Sequence, residues 1–316
     1  MRRPVTVLAL LAALALAGTA GCASDPAPGA AASSSGGTRE IIHAMGTTKV
    51  PATPARVVVL DTDKVDTLLS LGVVPVGAAR AAELSGWPKY LGDKVSAMKE
   101  VGTLQEPNLE AIAGLKPDLI LGSKFRQEKF YDELAKIAPT VFTEAVGVTW
   151  KQNFLLDGAA IGKEQQAKDM LNAYEKRAKD LGTKIGTPAG VKVSIVRFMP
   201  TEIRVYGPES FSGIVVGDVG LARPDRQMLA GKDDKRFDRV SPERVSEVDG
   251  DVIFVAAYGE KAAAKQAEVT AGPLWGALSA VKAGKAHVVP DETWMTGIGV
   301  TAAGKILDDL EKYLSR

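Results

Sequence analysis

One supersecondary unit occurs twice in this chain. Pro107 to Gly122 read P-N-L-E-A-I-A-G-L-K-P-D-L-I-L-G, and Ser241 to Val255 read S-P-E-R-V-S-E-V-D-G-D-V-I-F-V. Each copy begins with a helix-start signal and a Glu in the first turn. A short amphipathic helix follows, then a small or acidic stop and a run apolar enough for a buried strand. A unit that returns about 135 residues later predicts two lobes of similar build, and two lobes imply a cleft between them.

At 316 residues the chain is long enough for a core in each lobe. Lys and Arg total 39 against 38 Asp and Glu, which leaves no electrostatic case for a nucleic-acid partner. The N-terminus differs from the rest. Arg2 and Arg3 precede an apolar run from Val5 to Ala17 and then Gly18-Thr19-Ala20-Gly21-Cys22, the layout of a secretory signal rather than a membrane-spanning helix. Cys22 is the only cysteine, so it has no partner for an intramolecular disulfide. Its place after Ala20-Gly21 resembles a bacterial lipobox, with Thr19 where that motif carries Leu, and Cys22 is therefore the expected lipidation site. From Ala23 to Thr38 small residues and Pro dominate. That composition cannot offset its own ordering entropy and fits a flexible tether.

After the tether, strand and helix patterns alternate. Val57 to Leu60 is a β-branched run, Asp61 to Asp63 offers a helix cap, and Lys64 to Leu71 carries apolar residues at helical spacing. Val73 to Val76 is the next expected strand, followed by the first repeat copy, a helix over Lys129 to Ile137 and an extended Thr140 to Thr143. Ala167, Met170, Leu171, Tyr174, Ala178 and Leu181 then recur at three- and four-residue intervals. They predict a helix from Lys163 to Lys184, about 33 Å long, which is enough to bridge two lobes. The pattern restarts with strands at Val191 to Val196 and Ile203 to Tyr206, a small-residue helix at Ser212 to Val219 and the second repeat copy. It closes with a strand at Ala286 to Val289 and a helix from Val300 to Leu314. The fold class is α/β: two Rossmann-like lobes joined by a long connecting helix, with a ligand cleft between them. The expected division is a signal peptide over 1–21, a tether over 22–38, an N-terminal α/β lobe over 39–150, a connecting helical segment over 151–186 and a C-terminal α/β lobe over 187–316.

Ligands of open α/β sheets sit beyond the carboxyl ends of the strands. Those ends carry Asp61 to Asp63, Arg80, Ser123 to Arg126, Arg197-Phe198, Tyr258 and Trp294, and the loop at Ser85 to Tyr90 adds Trp87. The binding candidates are Arg80, Trp87, Arg126, Arg197, Phe198, Tyr258 and Trp294. Arg donates several hydrogen bonds in a fixed fork and aromatics cover apolar surface, so this set suits an anionic or oxygen-rich ligand with flat organic parts. A single strand-end Arg is as easily a solvated charge. Arg126 and Arg197, at corresponding ends of separate lobes, shift that balance toward function. Trp294 suits a core position as well as a ligand contact, and Trp150 and Trp275 read as structural.

Catalysis finds no motif. There is no G-x-S-x-G elbow, no G-x-x-x-x-G-K-[ST] loop and no H-E-x-x-H, and the sequence has 2 histidines, His43 and His287. His287 lies inside an apolar strand pattern. A membrane-anchored α/β hydrolase, the enzyme alternative, would need a nucleophile beside a base, so no enzymatic activity is expected. With so few nitrogen and sulfur ligands, no metal site of the protein's own is expected either; a metal would arrive already chelated.

The lipobox, the V-V-V-L-D strand, the P-N-L-E…K-P-D-L-I-L-G unit, the long linking helix, S-P-E-R-V and the closing H-V-V-P-D-E-T-W-M-T-G-I-G together resemble the iron-siderophore and vitamin B12 class of ABC-transporter substrate-binding proteins. The resemblance covers Glu40 to Arg316. It implies an extracytoplasmic, lipid-anchored, monomeric receptor that hands a ferric siderophore to an ABC permease dimer, with no cofactor of its own. Haem or cobalamin is the alternative ligand of the same fold. It implies that Arg126 and Arg197 contact iron-ligating oxygens and that Glu110 and Glu243 dock to permease arginines. A further arginine that some catecholate binders carry just after a Y-G turn is replaced here by Ser210-Phe211-Ser212, which favours a hydroxamate or mixed siderophore.

Overall fold

The computed structural model describes residues 37–82 and 86–315, so the export signal and Cys22 lie outside the described residues. The described chain opens with an antiparallel hairpin, β1 (Thr38–His43) and β2 (Gly46–Pro51). The sequence pattern predicts no element there. The hairpin packs on the N-terminal lobe, where His43 Nδ1 accepts from the Phe142 amide at 3.2 Å.

The N-terminal lobe comprises β3 (Val57–Val59), α1 (Thr62–Ser70), β4 (Gly77–Arg80), β5 (Lys99–Thr103), α2 (Leu109–Gly114), β6 (Leu119–Ser123), α3 (Lys124–Gln127), α4 (Tyr131–Ile137) and β7 (Thr140–Thr143). Its five-stranded sheet has the order β5-β4-β3-β6-β7 and is parallel throughout. The strand expected at Val73 to Val76 starts instead at Gly77. Pro75 has no amide to give the ladder, so regular pairing begins only after it. Helices α5 (Trp150–Ala160) and α6 (Glu164–Ile185) lead to the second lobe.

That lobe comprises β8 (Val193–Phe198), β9 (Ile203–Tyr206), α7 (Phe211–Asp218), β10 (Phe237–Val240), β11 (Val252–Ala257), α8 (Gly259–Thr270), α9 (Pro273–Gly276), α10 (Ser279–Lys282), β12 (Ala286–Val288) and α11 (Val300–Leu314). Its sheet order is β10-β9-β8-β11-β12. Strands β8, β11 and β12 run parallel, whereas β9 and β10 are antiparallel to their neighbours. Each repeat copy thus delivers its strand, β6 or β11, to the same place, between the first strand of its lobe and the last. The helical parts differ. The first copy forms α2, capped by Asn108, whose side chain accepts from Ala111 N at 2.9 Å. The second, expected as an amphipathic helix, is a 3-10 turn over Pro242–Val248, broken at Arg244 (φ −101, ψ 21). It is pinned at its end because Asp249 accepts from the amides of Ser279 and Ala280.

Strand alternation splits the apolar residues between three clusters. Val58, Leu60 and Ile120 face one outer core, and Val196, Phe198, Val205 and Ile253 face another. Val57, Val59, Leu119 and Leu121 share a single central core with Val193, Ile195, Val252 and Phe254 of the other sheet. Helix α6 closes that core with a buried stripe of Ala167, Leu171, Tyr174, Ala178 and Leu181, and it packs against α5, α7 and α11. Fully burying each large apolar side chain contributes roughly 1.5–3 kcal/mol. Gly182 sits where a side chain would strike the Val219 carbonyl, which is what lets α6 lie close to the end of α7.

A second joint links the lobes. Helix α11 packs on α1, and the buried Asp66 of α1 accepts from Thr301 N and Ala302 N at 3.0 Å each, capping the first turn of α11. Burial raises the Asp66 carboxyl to about 6, although those two amides favour its charged form. Two helical joints and a shared core thus tie the lobes together.

Candidate functional site

A cleft of about 330 Å³ lies where the two sheets present their strand ends. It is lined by four arginines, Arg126 from the N-terminal lobe and Arg197, Arg204 and Arg236 from the C-terminal lobe, together with Phe125, Tyr206, Phe237 and Trp294.

The N-terminal wall is built on Asp61. This buried residue follows β3 and uses both oxygens. Oδ1 caps α1 by accepting from Thr62 N at 2.9 Å; Oδ2 accepts from Ser123 Oγ at 2.9 Å and from Arg126 Nε at 2.8 Å. Behind it the fully buried Lys64 lies 3.0 Å from Asp63 and 2.9 Å from Asp157. Gln127 fixes the turn that carries Arg126: its Oε1 accepts from Ser123 N and its Nε2 donates to the carbonyls of Leu60 and Leu104. Phe125, 52% exposed, stands beside Arg126 and Arg236, whose guanidinium carbons are 5.5 and 5.3 Å from its ring centre. An apolar ring flanked by two guanidinium groups offers a face to stack on and an edge rich in donors.

The C-terminal wall is an arginine row across the sheet. Antiparallel pairing sets Arg204 opposite Arg197 on one side and opposite Arg239 on the other. Arg197 is 9% exposed. Its Nε and Nη2 grip Asp291 at 2.6 and 2.7 Å, Nη2 also donates to Thr296 Oγ1 at 3.0 Å, and Nη1 donates to the Tyr206 hydroxyl at 3.2 Å. Burial opposes its charge, but Tyr206 and Asp291 outweigh burial and keep the guanidinium protonated. Arg204 lies over the Phe237 ring at 4.2 Å and pairs with Glu202; Arg236 pairs with Asp234 through Nε at 2.9 Å and Nη2 at 2.8 Å.

Three of the sequence candidates line this cleft: Arg126, Arg197 and Trp294. Trp294 is fully buried all the same. Its Nε1 donates to Asp309 at 2.8 Å and its ring stacks on Phe254 at 4.5 Å, so it forms the cleft floor rather than an open aromatic wall. Phe198, offered as a ligand contact, is corrected to a core residue. It is 0% exposed and faces Trp275, because alternation along β8 sends it to the side opposite Arg197. Tyr258 lies under Arg197, 4.6 Å from its guanidinium carbon, and supports that side chain. Arg80 and Trp87 line a separate narrow crevice with Tyr90, Thr296 and Gly297, and Arg80 Nε binds Glu100 at 3.1 Å. Trp150 and Trp275 are buried, and His287 stacks on Tyr313 at 3.9 Å. Glu110 and Glu243 are exposed in the first turns of their units, and neither lines the cleft.

Sequence reasoning missed Arg204, Arg236, Tyr206 and Phe237 as cleft residues. The strand-end rule applies to parallel strands, and these residues belong to the antiparallel β9 and β10 or directly precede β10. The usable signal was the alternation I-R-V-Y, which puts Arg204 and Tyr206 on one face and buries Ile203 and Val205 on the other.

Among the described residues no group of three or more His, Cys, Asp or Glu is placed to hold a metal ion, and no helix is long and apolar enough to cross a membrane.

The family model for periplasmic binding proteins matches residues 57–293. The "Probable siderophore-binding lipoprotein YfiY" of Bacillus subtilis is 42% identical over 288 residues, covering 89% of this chain and 89% of the relative. Among solved structures, SirA of Staphylococcus aureus complexed with staphyloferrin B matches with a TM-score of 0.78 and 34% identity, over 88% of this chain and 98% of that one. The triscatecholate siderophore binding protein FeuA of Bacillus subtilis, complexed with ferri-bacillibactin, matches with a TM-score of 0.73 and 25% identity, over 87% and 98%.

Proposed function

Because the chain belongs to the periplasmic binding protein family, we propose that it is the substrate-binding lipoprotein of an ABC importer and captures a ferric siderophore between its lobes. The observation that carries this reading is the cleft itself, in which guanidinium groups from both lobes and the Phe125 and Phe237 rings converge on one space. Such a surface donates hydrogen bonds to iron-ligating oxygens and stacks flat organic parts, and it forms and breaks no bond.

The pairing of the arginines bears on the ligand's charge. Arg126, Arg197, Arg204 and Arg236 each already meet a carboxylate, from Asp61, Asp291, Glu202 and Asp234. The cleft therefore offers directed donors with little net positive charge, which suits a hydroxamate or mixed siderophore better than a tris-catecholate of high charge. Exposed Glu110 and Glu243 serve the permease dimer, and lipidated Cys22 holds the monomeric receptor at the membrane surface.

Tryptophan-fluorescence titration with a ferric trihydroxamate, ferric citrate, a ferric tris-catecholate, haemin and cobalamin tests the proposal. Saturable quenching by the ferric trihydroxamate, at lower concentration than by the tris-catecholate, is the expected result. Response to haemin or cobalamin alone would overturn it.

A further inference from the structure

A second cavity of about 480 Å³ opens beside the second repeat copy, between the β9–β10 edge, Pro242 and α8. Three cations line it, Arg239, Arg244 and Lys265, and Glu202 is the one carboxylate among its lining residues. Glu202 is shared between two cavities. Its Oε1 accepts from Nε of Arg204, a wall of the ligand cleft, at 2.5 Å, and its Oε2 accepts from Nε of Arg239, a wall of the groove. Register pairing across β9 and β10 holds Arg204 and Arg239 side by side, so a carboxylate placed between them reaches both without moving the backbone.

We propose that Glu202 couples the ligand cleft to this groove, and that the groove takes an acidic protein segment. The proposal rests on the ligand reading above for its purpose but not for its test. The cations of the groove are open to such a segment. Arg239 is 68% exposed, Arg244 reaches Glu247 only at 3.6 Å, and Lys265 shares Glu268 of its own helix at 3.3 Å; exposed pairs of this kind hold their cations weakly. Burial disfavours the charged form of Glu202, yet Arg239 and Arg204 together hold its carboxyl below the ordinary value, so it stays an anion with two competing partners.

The sign of the coupling follows from that competition. An anion in the cleft that draws Arg204 to itself leaves Glu202 to Arg239 alone, and Arg239 is withdrawn from the groove. An acidic segment that draws Arg239 leaves Glu202 to Arg204 and withdraws that donor from the cleft. Each occupant therefore weakens the other by the same factor. Docking of an acidic segment next to exposed Glu243 would then favour release of the ligand into the partner.

The test needs no siderophore. A hexaglutamate peptide is titrated calorimetrically at low ionic strength into the folded chain and its variants, each checked by circular dichroism. Wild type should bind, and Arg239→Ala combined with Lys265→Ala should lose at least tenfold. Arg204→Ala, which lies outside the groove but hands Glu202 to Arg239, should weaken the peptide at least fivefold. Arg236→Ala, which removes a cleft arginine that does not touch Glu202, should change binding less than twofold. In a Glu202→Gln background the Arg204→Ala effect should vanish. No peptide binding by wild type, or binding indifferent to Arg239 and Lys265, overturns the groove. A loss in Arg204→Ala that persists with Glu202→Gln, or no loss at all, overturns the coupling. Failure of every ferric complex to bind in the fluorescence panel would instead sink the ligand reading and leave these outcomes readable.

Discussion

Asp61 binds Arg126 Nε with one carboxylate oxygen, at 2.8 Å, and caps α1 at Thr62 N with the other, at 2.9 Å. One side chain at the end of β3 thus starts a helix and aims an arginine of the cleft. Removing a cap of this type costs about 1 kcal/mol, and Asn caps as well as Asp does. Asp61→Ala should therefore lose at least about 1 kcal/mol in urea unfolding, with Asp61→Asn recovering the capping share. Equal losses in both variants would mean that the Arg126 pairing, not the cap, dominates.

The cleft arginines should separate into two kinds. Arg126 is bonded through Nε alone to Asp61, and a charge-assisted hydrogen bond from such a donor contributes roughly 1.5–3 kcal/mol. Arg204→Ala should weaken binding of a ferric trihydroxamate at least tenfold with little change in melting temperature. Arg126→Ala should weaken binding as much and also lower the melting temperature, because it strips the fully buried Asp61 of its guanidinium partner. Arg197 spends its fork on Asp291, Thr296 and Tyr206, and its removal strands Asp291, whose side chain is 9% exposed. Breaking a buried pair costs about 3–5 kcal/mol, so Arg197→Ala should be read first as a loss of stability. A normal melting temperature for Arg197→Ala would contradict this division.

Asp66 gives a pH prediction. Its carboxyl is raised from an ordinary 3.8 to about 6, so the folded state holds the proton more tightly than the unfolded chain. For this group stability is greatest below about pH 4 and falls as pH rises toward 6, by roughly 3 kcal/mol in all. Asp66→Asn removes the titration. The variant's stability relative to wild type should rise between pH 4 and 7 when both are unfolded in urea. A constant or falling difference would show that the Asp66 carboxyl titrates near its ordinary value.

Delivery and capture should come apart at the repeat copies. Glu110 and Glu243 are exposed and lie off the cleft, so Glu110→Arg with Glu243→Arg should leave ferric-trihydroxamate affinity within twofold of wild type. Iron uptake by cells carrying the double variant should be lost if these two positions dock to arginines of a permease as proposed, because like charges would then face each other. Full uptake at normal protein levels would assign both carboxylates to their helix starts alone.

Legibility followed how local each signal was. The repeat copies, the β8 and β9 runs, the 22-residue α6 and the closing α11 were readable because apolar periodicity is set by burial on one face of one element. The β1–β2 hairpin escaped because Thr38 to Pro51 has only Ile41 and Val50 buried, too few to set a period, and it is held by contacts with distant β7. The Pro242–Val248 segment carried a helix signature yet formed a 3-10 turn, since Asp249 is tied to α10 and leaves it no length to settle.

The sequence by itself determined the two-lobe α/β plan, the linking helix and the presence of arginines at strand ends, because each follows from spacing along the chain. Only the tertiary structure decided which arginines share a cleft. The antiparallel turn of β9 and β10 brings Arg204 and Arg236 to Arg197, and strand alternation sends Phe198 away from it. Partners remote in sequence, Asp291 for Arg197 and Asp61 for Arg126, then settle how many donors each guanidinium has left to offer. Pairing of this kind depends on distances across the fold, and a linear pattern of residues does not contain them.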